Sequence, residues 1–474
     1  MSSQGMDENS AGISRPHQSE GDVNFSERRR AWATENINAS SSELLRRDER
    51  VFLHQSVSTP CLNTIKGAEG AYIIDGQGRR YLDFHGNNVH HIGYGHPKLK
   101  AAITKQMEDL SFAPRRFTCE PAVALAEKLA EISPGDLGKV LFATGGSDAI
   151  EMALKVARAK TGRFKTISFW DAFHGAGFGA SSIGGEQLFR GQAIGPLLPG
   201  TEHVAPFACY RCPYGYEVNA AGEPNLTLCK TTCANMVKYV LEKEGNVAAV
   251  IAEPARAVPY NPPKGFWKAV RQACNEAGAL LIFDEIPTGL GKTGRMFACD
   301  HDDVVPDILV MGKALGGGIL PIAATLCHPD LDVLGDYAIG HYTHEKNPVT
   351  TRAALTTIEI IEEEGLVENA ATVGQYALDR MQDMKARHDL IGDVRGRGFL
   401  LGIDLVKDRS TKEGANDAAE EILYRAFDKG LSFKTTMGNV LTLTPPLITT
   451  KDQMDFALDI LEEAIADVSN RASI

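Results

Sequence analysis

From residue 139 to about residue 318 the chain alternates short, almost wholly apolar runs with amphipathic helical stretches, a pattern few folds accept. "KVLFATGG" leads into "SDAIEMALKVARAKTG", and "KTISFW" follows. After a Gly/Pro/Asn-rich insertion come "VAAVIAEP", then "FWKAVRQACNEAG" closed by Gly278, then "ALLIFDE" and "DILVMGKALGGG". A strand that is apolar throughout has no polar face to offer water. Such runs, separated by helices, predict an α/β fold with a mostly parallel sheet covered by helices on both faces. No internal repeat interrupts the series.

The character changes on either side. Residues 1–48 are polar and rich in Ser, Arg and Glu, and are predicted to form an arm that is disordered or laid against a partner. "GAYIIDGQGRRYLDFHG" reads as a hairpin turning at Asp75-Gly76 and Gly78, and residues 49–85 are assigned to a smaller domain. "PAVALAEKLAEI" predicts a helix with Pro121 at its start and Leu125, Leu129 and Ile132 on one stripe. Beyond the large domain, set at 86–345, the segment 346–474 completes the smaller α+β domain. It contains a helical run over about 349–387, the strand "GFLLGIDLV" and a helix from Asn416. A strand holding Thr442 before the Pro445-Pro446 corner and a last helix from Lys451 follow.

Composition narrows the function. Of 474 residues, 43% are hydrophobic and 23% charged, as in an ordinary globular protein. A formal net charge of −12 argues against general affinity for nucleic acid or an anionic membrane surface. No apolar run reaches the ~18–20 residues of a membrane span. "MSSQGMDENSAGISRPHQSEG" has no apolar core of a secretory signal, so a cytoplasmic protein is expected. Cys209-x-x-Cys212 and Cys229-x-x-x-Cys233 allow two readings, a zinc ribbon or reduced thiols in an insertion. The loose second half and the lack of a ribbon hairpin favour thiols, and no metal is expected.

Ligands of open α/β sheets gather at the carboxyl ends of the strands. There the chain places Thr144-Gly145-Gly146-Ser147, with Ser147 as the expected helix N-cap, a backbone cradle suited to an anion such as phosphate. Phe173-His174-Gly175 pairs an aromatic face with an imidazole; Glu253-Pro254 and Asp284-Glu285 end the next two strands. Taken singly, each reads as a cap, a packing pair or a surface group. Lys313 is different, because "LVMGKALGGG" surrounds its amine with apolar and glycine residues, a setting that suits a Schiff-base nucleophile. Together these are the parts pyridoxal phosphate needs to act as an electron sink. "LLIFDE" and the later "GKT" at 291–293 imitate an ATPase. However, Ile286 stands where the phosphate loop needs glycine, and the acidic strand comes directly before the loop.

From about residue 50 onward the chain resembles the class III aminotransferase family of fold-type I pyridoxal-phosphate enzymes. "GGSDAIEMALKVAR", "AFHG", "AEP", "IFDEIPTGLGKTG", "MGKALGGG", "THEKNP", "VRGRGFLLGIDL" and "TPPL" occur in that family's order. The resemblance implies that Lys313 carries the cofactor and then moves the proton, and that Asp284 pairs with the pyridine nitrogen. It implies that Gly146 and Ser147 hold the phosphate, that Phe173 stacks on the ring with His174 beside it, and that Glu253 lies near the substrate. Thr343 would contact the phosphate of a neighbouring subunit, in a homodimer or homotetramer with shared sites.

The chain departs from the family pattern in three places. Pro287 replaces a common glutamine; "ARAVPYNPPKG" replaces a Gly-rich stretch and brings Arg256 toward the site; and Thr442 replaces the arginine that grips an amino acid's α-carboxylate. An amine substrate without that carboxylate is therefore expected. The family also contains lyases that use the same electron sink on phosphorylated or phosphonate-bearing amines. The likeness favours one that releases ammonia from 1-hydroxy-2-aminoethylphosphonate and yields phosphonoacetaldehyde, with Arg256 on the phosphonate. The alternative is an aminotransferase whose substrate carboxylate is held by Arg115, Arg116 or Arg395.

Overall fold

The computed structural model describes Gly21, residues 26–220 and residues 222–472. Three short strands, β1 (Ile65–Glu69), β2 (Tyr72–Asp75) and β3 (Arg80–Asp83), form an antiparallel meander. The large domain then supplies β4 (Lys139–Ala143), β5 (Lys165–Phe169), β6 (Thr201–Val204), β7 (Val247–Ala252), β8 (Leu280–Asp284), β9 (Ile308–Met311) and β10 (Ala323–Cys327). They lie in the order β4-β10-β9-β8-β7-β5-β6. All neighbours are parallel except β10, which runs against both β4 and β9. The link from β9 to β10 holds one turn of 3-10 helix at Lys313–Gly316 and no crossover helix, so the chain folds back on itself.

Alternate residues of these strands feed two cores. Ala249, Ile251, Ile282 and Val310 face the helix Gly146–Thr161, whereas Val250, Leu281, Phe283 and Leu309 join the larger core containing Trp267. Every residue of β7 is buried, which is why its sequence shows no polar alternation.

The smaller domain is built from both ends of the chain. After β11 (Ile391–Arg397), β12 (Leu400–Asp408) and the two-residue β13 (Glu413–Gly414), β14 (Leu431–Ser432) joins the N-terminal meander parallel to β3. β15 (Lys434–Thr436) and β16 (Val440–Leu443) complete a second antiparallel sheet on β12. The helical run expected over 349–387 is two helices, Pro348–Glu363 and Leu366–Arg387, because Gly365 adopts a left-handed conformation (φ 63°) between them.

Residues 1–20 and 22–25 of the predicted arm lie outside the described residues. Its remainder is ordered against the chain itself, as the helices Glu27–Asn36 and Ala39–Val51. Ser26 and Asn38 cap them, accepting from the backbone N–H of Arg29 and Ser41, each at 2.9 Å. Trp32 is buried against Tyr424 and Phe427 and donates its indole N–H to Asp428 at 2.7 Å. No helix among the described residues is long and apolar enough to cross a membrane.

Candidate active site

β4 delivers the chain to the helix Gly146–Thr161, whose N-cap is Gly145 rather than the expected Ser147. No side chain caps this end; Thr144 instead donates its hydroxyl to Asp148 at 2.9 Å. Ala149 is the first amide to close a helical bond, on the Gly145 carbonyl, so the amides of the first turn remain available to an anion. A Cβ at Gly146 would stand 2.8 Å from Ile286 Cδ1, so glycine lets a ligand approach the backbone here. Ser147 accepts a bond from the Ala176 amide at 3.0 Å, and Gly175 (φ 130°) packs so closely on Ser147 that a Cβ would lie 2.9 Å from its Cα.

A cavity of about 490 Å³ lies over this helix end, lined by Gly146, Ser147, Phe173, His174, Asp284 and Lys313, among others. The Asp284 carboxylate at the end of β8 is buried and fixed on both oxygens. His174 Nδ1 lies 2.8 Å from one, and the Ile286 amide donates to the other at 3.0 Å. Asp284 is the only carboxylate lining this cavity among the described residues. Pro287 also lines it and offers no donor.

A second cavity of about 450 Å³ meets the first at Phe173 and Lys313. Phe173 lines both, its ring 4.4 Å from that of Phe189. Sequence reasoning did not anticipate the other polar walls of this cavity, which include His85, Asn87, Lys434 and, from the N-terminal helix, Arg29. Burial pushes the His85 imidazole down to about 4, helped by the nearby Lys434 and Lys313 ammonium groups, so it is neutral at pH 7. The hairpin "KTTMGNVLTL" held the missing clue. Its turn, with positive φ at Met437 and Gly438, sets Lys434 directly across from Thr442.

Not every expected site residue lines these cavities. Glu253 is buried and accepts from the Ala257 amide at 2.8 Å, but it lines neither. Arg256 is buried beside a separate cavity with Arg211, Tyr260 and Asn439, and one of its Nη atoms donates to the Asp171 carbonyl. It does not meet Lys313. Thr343 is exposed on a loop and lines neither cavity. Thr442 is fully buried, its hydroxyl 2.7 Å from that of Thr436.

The arginines proposed as alternative carboxylate clamps are engaged or remote. Arg395 bonds Asp393 at 2.8 Å, Asp404 at 3.1 Å and the Pro259 carbonyl at 2.7 Å. Arg115 pairs with His341 and Glu345, and neither it nor Arg116 lines the Lys313 cavities. The lysine of the ATPase-like "GKT" also has a structural place. Lys292 is fully buried and donates to the Pro445 carbonyl at 2.7 Å and the Thr444 carbonyl at 3.4 Å, tying the Pro-Pro corner to the large domain. The four clustered cysteines are free thiols, and burial raises Cys209 to about 11 and Cys233 to about 12. Among the described residues no group of three His, Cys, Asp or Glu side chains is placed to hold a metal.

A lysine and a buried carboxylate lining one cavity, at the carboxyl ends of a seven-stranded sheet of this topology, define a fold-type I pyridoxal-phosphate enzyme. The family description "Aminotransferase class-III" matches residues 54–465, and the chain belongs to that family. It is 45% identical over 458 residues to the (R)-1-hydroxy-2-aminoethylphosphonate ammonia-lyase of Vibrio splendidus, covering 95% of each chain. It is 41% identical to the leucine/methionine racemase of Thermococcus litoralis, over 90% of this chain and 96% of that one. Among solved structures, the amine transaminase of an uncultivated Pseudomonas species in its pyridoxal-phosphate-bound form superposes with a TM-score of 0.81. That match is at 30% identity and covers 88% of this chain and 99% of that one. Pyridoxal phosphate is the cofactor. The cavity fits it on its own terms, with an uncapped, glycine-opened helix end for an anion, one fixed carboxylate for a protonated ring nitrogen, and an amine in the same lining.

Proposed function

We propose that this enzyme is an ammonia-lyase acting on a hydroxy-amino phosphonate, converting 1-hydroxy-2-aminoethylphosphonate to phosphonoacetaldehyde and ammonia. The observation that carries the reading is Thr442. The position is buried, its hydroxyl is engaged by Thr436, and Arg395 is held by two carboxylates, so a carboxylate clamp of the usual kind is lacking among the described residues. The likeness to the Vibrio splendidus ammonia-lyase supports the same reading.

Bound in the cavity, pyridoxal phosphate supplies an electron sink for the carbon that carries the substrate amine. In this reading the first-turn amides at Gly146 and Ser147 hold the phosphate, and Phe173 covers the ring. Asp284, oriented by His174, would accept the N–H of the protonated ring nitrogen on a carboxylate oxygen and keep that nitrogen protonated. Lys313 Nζ, at the junction of the two cavities, takes the proton from the amine-bearing carbon. The hydroxyl on the adjacent carbon leaves. The water lost there is regained at the carbon that held the amine, so the sum is one aldehyde and one ammonia with no keto acid consumed. We infer further that the enzyme works as a dimer. Thr343 is exposed, as a reach into a neighbouring subunit requires; Met107, Leu110, Phe112 and Phe117 present exposed apolar surface, and the Phe112 ring lies 5.5 Å from that of His344, next to Thr343.

The test is ammonia release from 1-hydroxy-2-aminoethylphosphonate with no keto acid present. Turnover that depends strictly on pyruvate or 2-oxoglutarate would refute the lyase and establish an aminotransferase.

A further inference from the structure

We propose that Lys434, supported by Arg29, forms the subsite that binds the substrate's phosphonate group. The inference rests on the phosphonate-lyase reading and names the cation that reading needs. Lys434 and Thr442 are direct cross-strand partners in the β15–β16 pair, so their side chains leave the same face of the sheet. The positive charge missing at position 442 is therefore present one strand away. Lys434 is 7% exposed and lines the second cavity together with Lys313 and Arg29.

Among the described residues the lining of this cavity holds Arg29, Lys313 and Lys434, and no Asp or Glu. A phosphonate bound in this space would meet the Lys434 ammonium and the Arg29 guanidinium while its amine lies toward Lys313. His85, kept neutral among them, adds no charge but can bond a phosphonate oxygen. An ammonium binds a phosphonate as a point charge, and a guanidinium binds it as a bidentate fork. Lysine at 434 in place of arginine at 442 thus moves the anion site across the strand pair. Arg29 reaches the cavity from the N-terminal helix, anchored by its bond to the Pro60 carbonyl at 2.9 Å, and supplies a second charge for a dianion.

The test uses 2-aminoethylphosphonate, which lacks the leaving hydroxyl and cannot be consumed by elimination, with propylamine and β-alanine as neutral and carboxylate controls. Calorimetry on the holoenzyme gives a Kd for each. The wild-type enzyme is expected to prefer the phosphonate to propylamine, and Lys434→Met to reduce that ratio on the order of 10- to 100-fold, the scale of one charge-assisted contact. Lys434→Arg is expected to keep most of the ratio. Retained cofactor absorbance in both variants shows that the site has folded. An unchanged ratio in Lys434→Met, while ammonia is still released without a keto acid, overturns the subsite alone. Wild-type enzyme that does not prefer the phosphonate overturns the phosphonate reading. A ratio that falls in an enzyme releasing no ammonia supports the subsite and overturns the lyase.

Discussion

Lys292 offers the sharpest test of the folding physics beneath the site. It is a buried amine that donates to the carbonyls of Thr444 and Pro445. Desolvation pushes it from 10.5 down to about 7, and Asp83 only partly opposes this. In the unfolded chain the amine binds its proton up to about pH 10.5; in the folded protein it releases it near pH 7. The unfolded state therefore binds more protons between those values, and stability rises with pH across that window. The full displacement corresponds to about 4–5 kcal/mol, a penalty complete below about pH 7 and gone above pH 10.5. Lys292→Met removes this titration and leaves two carbonyls without their donor, at about 1–3 kcal/mol each. Near pH 7 the two effects oppose each other. Near pH 10 the wild type no longer bears the desolvation cost and is expected to be clearly the more stable. Urea unfolding of both holoenzymes from pH 7 to pH 10 should show the gap widening by a few kcal/mol. Parallel pH profiles would refute the argument, because they would mean that Lys292 has the same proton affinity folded and unfolded.

Two further outcomes follow from the cofactor cavity. Asp284→Asn keeps acceptor oxygen near the Ile286 amide but cannot hold a protonated ring nitrogen, so ammonia release should fall on the order of 100-fold or more, with the bound cofactor's absorbance altered; turnover within about threefold of wild type would remove Asp284 from its assigned role. Gly146→Ala places a Cβ against the movable end of Ile286 in the phosphate approach, so cofactor affinity measured by equilibrium dialysis should weaken on the order of 10-fold, with little change in the unfolding midpoint of the apoenzyme.

The parts of the molecule legible in sequence were those whose signal is local. Apolar runs such as "VAAVIA" announced β7, Gly278 ended a helix where expected, and the strand-end residues Gly146, Phe173, His174, Asp284 and Lys313 share one cavity. Signals that depend on distant partners were hidden. The arm looked unstructured because its helices carry few apolar residues; what orders it is Trp32 packing against Tyr424 and Phe427, nearly four hundred residues away. β10 escaped notice because "AATLC" is short and its pairing runs against the parallel rule set by its neighbours. The placement of Arg256 was hidden for a related reason. Its position after Glu253-Pro254 is close to the site along the chain, yet the loop turns it toward the Asp171 carbonyl and a different cavity.

The substrate strand shows why a single missing residue could raise the question of specificity without answering it. Thr442 reports only that a guanidinium is absent from one point of β16. Whether the anion site is lost or moved depends on the register of the hairpin, which brings Lys434 opposite it, and on the corner that fixes where the hairpin ends. That corner is tied on two sides. Thr444 donates its amide to the Phe84 carbonyl at 2.8 Å, beside His85 of the substrate cavity, while Lys292 bonds the Thr444 and Pro445 carbonyls from the loop after β8. The lysine that imitates a nucleotide-binding motif therefore holds, through backbone alone, the strand pair that carries Lys434. A Lys292 variant that leaves the fold intact but loosens this corner should weaken phosphonate binding before it affects cofactor binding, since Gly146, Asp284 and Lys313 belong to the large sheet and do not depend on the corner's register.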